Sequence, residues 1–147
     1  MDRSLFESKV NDMFIKKPKL FCFGFDERAS NKMIEEVEKY YNVRMCKEYK
    51  EFLELYGGGY FGFVVIFSCD HNSKFYIKSN VLKDWVSEKL FLPVVDLETG
   101  DFFGFEIMDG KCQNTISLYS HEEDMIYELE MDFYEILLKY GLKYNFE

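Results

Sequence analysis

The clearest periodicity in the chain lies between Glu48 and Gly62. Tyr49, Phe52, Leu53 and Tyr56 fall at the spacing of one helical face, and charged residues fill the other. Gly57-Gly58-Gly59 then stops the helix, because a glycine just past the last turn takes a left-handed conformation without a Cβ clash. Phe61 to Phe67 comes next as an apolar run rich in β-branched and aromatic residues, the pattern of a buried strand. An amphipathic helix therefore turns on glycine into a strand. The chain before this point is helical in pattern, and most of the chain after it patterns as sheet.

Taken in order, Ser4 to Lys16 carries Leu5, Phe6, Val10, Met13 and Phe14, which predicts a first amphipathic helix closed by Lys17-Pro18. Leu20 to Phe25 is short and aromatic, and reads equally as a strand or a packing segment. Ser30 is a good N-cap, since its hydroxyl accepts from an otherwise orphan backbone N–H. The helix it opens runs to about Tyr41, with Met33, Ile34, Val37, Tyr40 and Tyr41 on its apolar side. Beyond Phe67, Asp70 to Lys74 is a polar loop and Phe75-Tyr76-Ile77 a short strand. Val81 to Leu90 is a helix, with Val81, Leu82, Trp85, Val86 and Leu90 to one side. Phe91 to Asp96 is a strand whose Pro93 argues for an edge or a bulge. Glu98 to Asp101 is a turn, Phe102 to Ile107 a strand, Asp109-Gly110 a hairpin turn and Thr115 to Tyr119 a further strand. Glu122 to Glu130 is acidic and irregular. Asp132 to Tyr140 is a last helix, with Phe133, Ile136, Leu137 and Tyr140 facing inward and Gly141 past its end. This order predicts an α+β fold: N-terminal helices packed on a mainly antiparallel sheet, with a C-terminal helix. The 147 residues suit one domain, 1–147, and the pattern contains neither repeat nor linker.

Composition narrows the function. The chain is 48% apolar and 19% aromatic, enough for a sizeable core. No apolar stretch approaches the ~20 residues of a membrane span. The opening Met-Asp-Arg-Ser-Leu-Phe-Glu lacks the basic-then-apolar order of a secretion signal, so a cytoplasmic protein without membrane contact is expected. Cys22, Cys46, Cys69 and Cys112 form no CxxC half-site and are accompanied by two histidines, so free thiols are expected and neither a metal nor another cofactor. The net charge of −9 is uneven: residues 1–90 hold 14 acids and 15 bases, whereas residues 91–147 hold 13 acids and 3 bases. A field of that sign disfavours nucleic acid and anionic membranes and attracts basic partners. An acidic surface that serves only solubility is the plain alternative.

Several clusters invite a chemical reading. Gly57-Gly58-Gly59 is no phosphate loop, because no Lys-Ser or Lys-Thr follows and the glycines close a helix rather than open one. Cys69-Asp70-His71 joins a thiol, a carboxylate and an imidazole, but neighbours on a strand face opposite ways, so adjacency does not deliver a nucleophile with its base. His121-Glu122-Glu123-Asp124 lacks the HExxH spacing that aligns metal ligands on a helix. The set of greatest interest gathers around the predicted turns: Asp96, Glu98 and Asp101 at one strand connection, Glu106 and Asp109 near the next, and Glu122, Glu123, Asp124, Glu128 and Glu130 after the third strand. Tyr119 and Tyr127 lie among them. Carboxylates that steer a partner, combined with rigid aromatic anchors, are what a tight protein interface uses.

Ile34-Glu35-Glu36-Val37-Glu38-Lys39-Tyr40-Tyr41 through Tyr49-Lys50-Glu51-Phe52-Leu53 and Gly58-Gly59 resembles the N-terminal signature of the SUKH superfamily, the group named for the yeast cell-wall regulators. Phe91-Leu92-Pro93-Val94-Val95 and Gly100-Asp101-Phe102-Phe103-Gly104-Phe105 resemble its middle strands, and Asp132 to Leu137 its closing helix, so the likeness spans about residues 30–140. Cys46 stands where the family usually has proline, and Gly57 where it usually has asparagine. The resemblance implies an α+β domain without a catalytic centre. It further implies an immunity protein that binds and neutralises a cognate toxin domain, often a nuclease. A nuclease site is basic because it holds phosphates, so the carboxylate-rich C-terminal part of the chain suits that partner. A regulatory interaction module of the same fold, without a toxin, is the alternative. A hydrolase working through Cys69 or His71 is a third and remote one.

Overall fold

The computed structural model describes residues 1–146. Helix α1 (Arg3–Lys16) is capped by Asp2, whose carboxylate accepts from the Leu5 N–H. It ends at Lys17 ahead of Pro18, as the proline requires. Pro18–Phe21 is a single 3-10 turn. The Leu20–Phe25 segment is thus not a strand. It packs through its rings, Phe21 stacking on Phe14 at 3.9 Å and Phe25 meeting Tyr56 edge-on at 5.5 Å. Helix α2 (Asn31–Tyr41) opens on Ser30, whose Oγ accepts from the Met33 N–H at 3.2 Å. Ile34, Val37 and Tyr41 are its buried face.

Helix α3 (Lys47–Tyr56) buries Tyr49, Phe52 and Leu53 and ends on Gly57, whose φ of 85° only glycine adopts freely. The glycine run has a second purpose. A Cβ on Gly57 would stand 2.1 Å from the Asp26 carbonyl oxygen, so the segment crossing beneath the helix end requires a residue without a side chain. The Asp26 N–H donates to the Gly58 carbonyl at 2.9 Å across the same contact.

Phe61–Phe67 is not one strand but most of a hairpin, β1 (Gly59–Phe61) and β2 (Val64–Ile66), turning at Gly62-Phe63. Gly62 has a φ of 62°, and a Cβ there would lie 2.0 Å from the Gly141 carbonyl oxygen. Periodicity could not show this, because both halves of the run are buried. Phe75-Tyr76-Ile77 supplies only a bridge between Tyr76 and Ser68, and Ile77 already begins helix α4 (Ile77–Asn80). Helix α5 (Lys83–Lys89) is shorter than its apolar pattern. Leu82 and Leu90 flank it and are exposed, Leu90 in the left-handed region at φ 53°.

The later strands are β3 (Phe91–Asp96), β4 (Phe102–Met108), β5 (Lys111–Cys112), β6 (Ser117–Ser120) and β7 (Met125–Glu128). Seven strands among the described residues form one antiparallel sheet, in the order β1-β2-β3-β4-β6-β7, with β5 on β4. Pro93 lies in an interior strand, and the register slips between Pro93 and Val95. That bulge accommodates a residue with no N–H to donate. β7 falls in the stretch whose charge suggests irregular chain. Helix α6 (Phe133–Ile136) opens on Asp132 and continues as a wider π turn, Leu137–Gly141. Gly141 is inside that turn rather than past it. It is needed for close approach, since a Cβ would meet the Phe61 ring and carbonyl at 2.9 Å.

Strand alternation divides the sheet into two faces. Phe103 and Phe105 point to the main core, where rings from α1, α3, β1 and α6 meet. Phe6 stacks on Tyr134 at 4.3 Å, and Phe52 packs edge-on against Phe61 at 5.3 Å and Phe133 at 6.1 Å. Phe91, Phe102 and Tyr119 point the other way, beneath Trp85 of α5. The result is an α+β architecture of N-terminal helices, sheet and C-terminal helix.

One buried bond fastens α3 to the sheet. The Tyr49 hydroxyl, fully buried, donates to the Phe67 carbonyl at 2.5 Å. Tyr49→Phe removes the donor and strands that oxygen, and is expected to destabilise by about 1–3 kcal/mol. The reading is a lower urea midpoint with an unchanged slope. An unshifted midpoint would show that the bond contributes nothing.

Candidate partner-binding surface

The sheet topology decides which of the acidic turns lie together. Asp96 ends β3 opposite Phe102, which begins β4, and Phe102 lies opposite Tyr119 near the end of β6. The turns 97–101 and 121–124 therefore emerge from the same end of the sheet. A direct contact joins them: Asp101 accepts from the His121 N–H at 2.9 Å and pairs with its ring Nδ1 at 2.7 Å. Asp96, Glu98, Asp101, Glu122, Glu123 and Asp124 thus share one end. The β1–β2 turn lies at this end too, where Lys143 stands over the Phe63 ring at 5.4 Å.

Within this group, some carboxylates are engaged and others are free. Asp96 accepts from the Glu98 N–H at 2.8 Å, holding Glu98 in the left-handed region at φ 60°. Asp124 accepts from Lys89 at 2.7 and 2.9 Å and from the Tyr119 hydroxyl at 2.7 Å, tying the turn to the end of α5. Glu123 accepts from the Tyr127 hydroxyl at 2.6 Å. Glu98 and Glu122 are exposed.

The remaining candidates lie elsewhere. Glu106 and Glu128 share the α5 side of the sheet, where Glu106 accepts from Ser117 at 3.3 Å. Asp109 occupies the β4–β5 turn and Glu130 follows β7, both beyond the opposite end of the sheet. Tyr119 is buried between Trp85 and Phe102, with 8% of its surface exposed, so it orients Asp124 instead of presenting a ring. Tyr127, 37% exposed, and Phe63 of the β1–β2 turn, 61% exposed, are the accessible aromatic side chains near this surface.

The electrostatics follow from these contacts. The two bonds from His121 hold the Asp101 carboxyl below its ordinary value of 3.8. Lys89, and then Tyr119, do the same for Asp124. In turn, bonding to Asp124 raises the Tyr119 hydroxyl, and bonding to Glu123 raises that of Tyr127.

Other chemistry finds little support. Burial pushes the Cys69 thiol up to about 12 and the Cys112 thiol likewise, far from the thiolate a nucleophile needs. Cys69 is buried while His71 is exposed in its loop. Among the described residues no group of three or more His, Cys, Asp or Glu side chains converges as a metal-ligand set. No helix among them is long and apolar enough to cross a membrane.

The carboxylates are legible in the sequence, but the contacts that sort them are not. Lys89, His121 and Trp85 act through partners 20 or more residues away. Strand β7 is concealed by flanking acids, although Ile126 and Tyr127 are strand-forming residues.

With this geometry in place, comparison with known families identifies the class of protein. The model of the SUKH_6 family, described as SMI1-KNR4 cell-wall, matches residues 31–137. The chain belongs to this family, within the SUKH superfamily. No curated protein matches it.

The Asp101–His121 link can be tested by titration. A depressed carboxyl stabilises the fold above its unfolded value, near 3.8, and loses that contribution as pH falls through the lower folded value. The Asp101 side-chain carbon signal is expected to titrate with a midpoint below 3.8, rising part of the way back in His121→Ala. A midpoint at or above 3.8 in the native protein would contradict the link.

Proposed function

We propose that this protein is an immunity protein, which binds and neutralises a toxin domain through its acidic sheet end. The chain acts as one non-enzymatic unit that needs no cofactor. It works inside the cell that makes the toxin. The observation that carries the reading is the convergence of two acidic turns, 97–101 and 121–124, joined by Asp101 and His121. Membership of the SUKH superfamily supports a binding role. A toxin that degrades nucleic acid presents a basic cleft, and carboxylates held in fixed turns would occupy it where phosphates otherwise lie. Glu98 and Glu122 are the side chains best placed to meet lysines and arginines of the partner. Asp96, Asp101, Glu123 and Asp124 hold the turns in shape, and Tyr127 is the anchor. Glu106, Asp109, Glu128 and Glu130 extend the negative field and need not touch the same partner surface. A second reading, a regulatory module that binds a host protein, is favoured by the cell-wall description of the family model.

Co-expression with the product of the adjacent gene tests the proposal. Cells carrying that toxin are expected to grow only with the intact protein, and the two should co-purify. Glu98→Lys with Glu122→Lys is expected to weaken the complex at least about tenfold while leaving the melting temperature unchanged. Growth unaffected by the neighbouring product, or a complex indifferent to both substitutions, would overturn it.

A further inference from the structure

The outer edge of β7 carries a feature that the acidic turns do not explain. β7 is the last strand of the sheet, and among the described residues nothing pairs with its outer side. Its phase is fixed by the bond from the Leu129 N–H to the Ile116 carbonyl at 3.0 Å. Bonded and non-bonded pairs alternate along an antiparallel ladder. Tyr127 opposite Leu118 and Met125 opposite Ser120 are therefore the bonded pairs. The backbone N–H and C=O groups of Ile126 and Glu128 point away from the sheet.

Proteins usually blunt such an edge with lysine, proline, a bulge or a covering element. The stretch Glu122-Glu123-Asp124-Met125-Ile126-Tyr127-Glu128-Leu129-Glu130-Met131 has neither lysine nor proline, and β6 and β7 pair without a register shift. The opposite edge, β1, is packed on the Pro18–Phe21 turn, with the Phe21 and Phe61 rings 6.1 Å apart. What guards β7 is its shortness, four residues, together with negative charge.

That charge also selects the occupant. A second copy would set rows of carboxylates beside one another, which is unfavourable across paired strands. A strand rich in lysine and arginine would be attracted. Met125 and Tyr127 lie on one face of β7, 50% and 37% exposed, and give apolar side chains of an added strand something to pack on. The Tyr127 ring is already held through Glu123, so little of its freedom remains to be lost on binding.

We propose that β7 accepts an added β-strand from a basic partner protein, in which lysine or arginine alternates with apolar residues. Backbone bonds to Ile126 and Glu128 would fix the strand, and the flanking acids would choose its charge. This deepens the reading above and rests on its choice of a basic protein partner.

The test uses the intact protein, labelled with ¹⁵N, and a capped heptapeptide alternating lysine and valine, with its glutamate–valine counterpart as control. With the basic peptide the Ile126 and Glu128 amides are expected to gain at least tenfold protection from hydrogen exchange. The Tyr127 amide, already bonded within the sheet, should change less than twofold. Glu128→Pro removes an outward N–H that no sheet bond uses, so the fold should persist while peptide affinity falls at least tenfold. Glu128→Gln keeps the N–H and should lose less. Equal protection by both peptides, no protection at Ile126 and Glu128, or undiminished binding by a folded Glu128→Pro variant would overturn the proposal. Toxin neutralisation that survives Glu128→Pro would likewise overturn the edge as its seat while leaving immunity intact. Failure of the neighbouring product to be toxic would strike the immunity reading and not the peptide result.

Discussion

Everything downstream of residue 57 depends on the close crossing at the end of α3. The Gly57–Gly59 run has positive φ at every position; a Cβ on Gly57 would stand 2.1 Å from the Asp26 carbonyl oxygen, and one on Gly58 2.9 Å from the Ser68 side chain. Two demands coincide there, a helix end and a backbone contact, and only glycine meets both. The crossing aims the chain into β1, and Tyr49 binds the same helix to the residue after β2. With the hairpin thus placed, Phe61 enters the ring cluster of Phe6, Phe52 and Tyr56, where each favourable aromatic pair adds about 0.5–1.5 kcal/mol beyond its burial. The rest of the sheet grows outward from β2, so the position of its acidic end is inherited from this one contact.

Local signals were readable in the sequence because they act within a few residues. Ser30 caps α2, Asp132 caps α6, and Asp109-Gly110 closes a hairpin with φ values of 54° and 73°, each by chemistry contained in the motif. The failures are equally physical. Phe61–Phe67 hides a turn because Gly62 and Phe63 interrupt a run that is buried on both sides. Gly141 resembles a cap, but the backbone of Phe61 is the reason it must be glycine. β7 reads as irregular because its acids outweigh Met125-Ile126-Tyr127, and pairing with β6 overrides the local preference. At the candidate surface, residue types were legible but their division of labour was not. Asp124 is held by Lys89, and no rule of spacing relates positions 35 apart.

That division of labour shapes the functional account. A dense acidic loop in isolation would repel itself and sample many shapes, and a partner would have to order it at an entropic cost. Here Asp96, Asp101, Glu123 and Asp124 accept bonds from their own neighbours, which fixes the two turns and leaves Glu98 and Glu122 projecting from a rigid frame. Charge and preorganisation thus arise from the same set of residues. Burial keeps the Cys46, Cys69 and Cys112 thiols protonated, and the proposed binding surfaces are a sheet end and a sheet edge.

Electrostatic recognition of a basic partner is the central claim, and the salt dependence of the association rate tests it most directly. Stopped-flow mixing of this protein with the purified product of the adjacent gene, across about 20 to 500 mM salt, should show an association rate that falls by at least about tenfold. A rate that stays constant over that range would contradict the account, because a partner guided by these carboxylates cannot be indifferent to their screening.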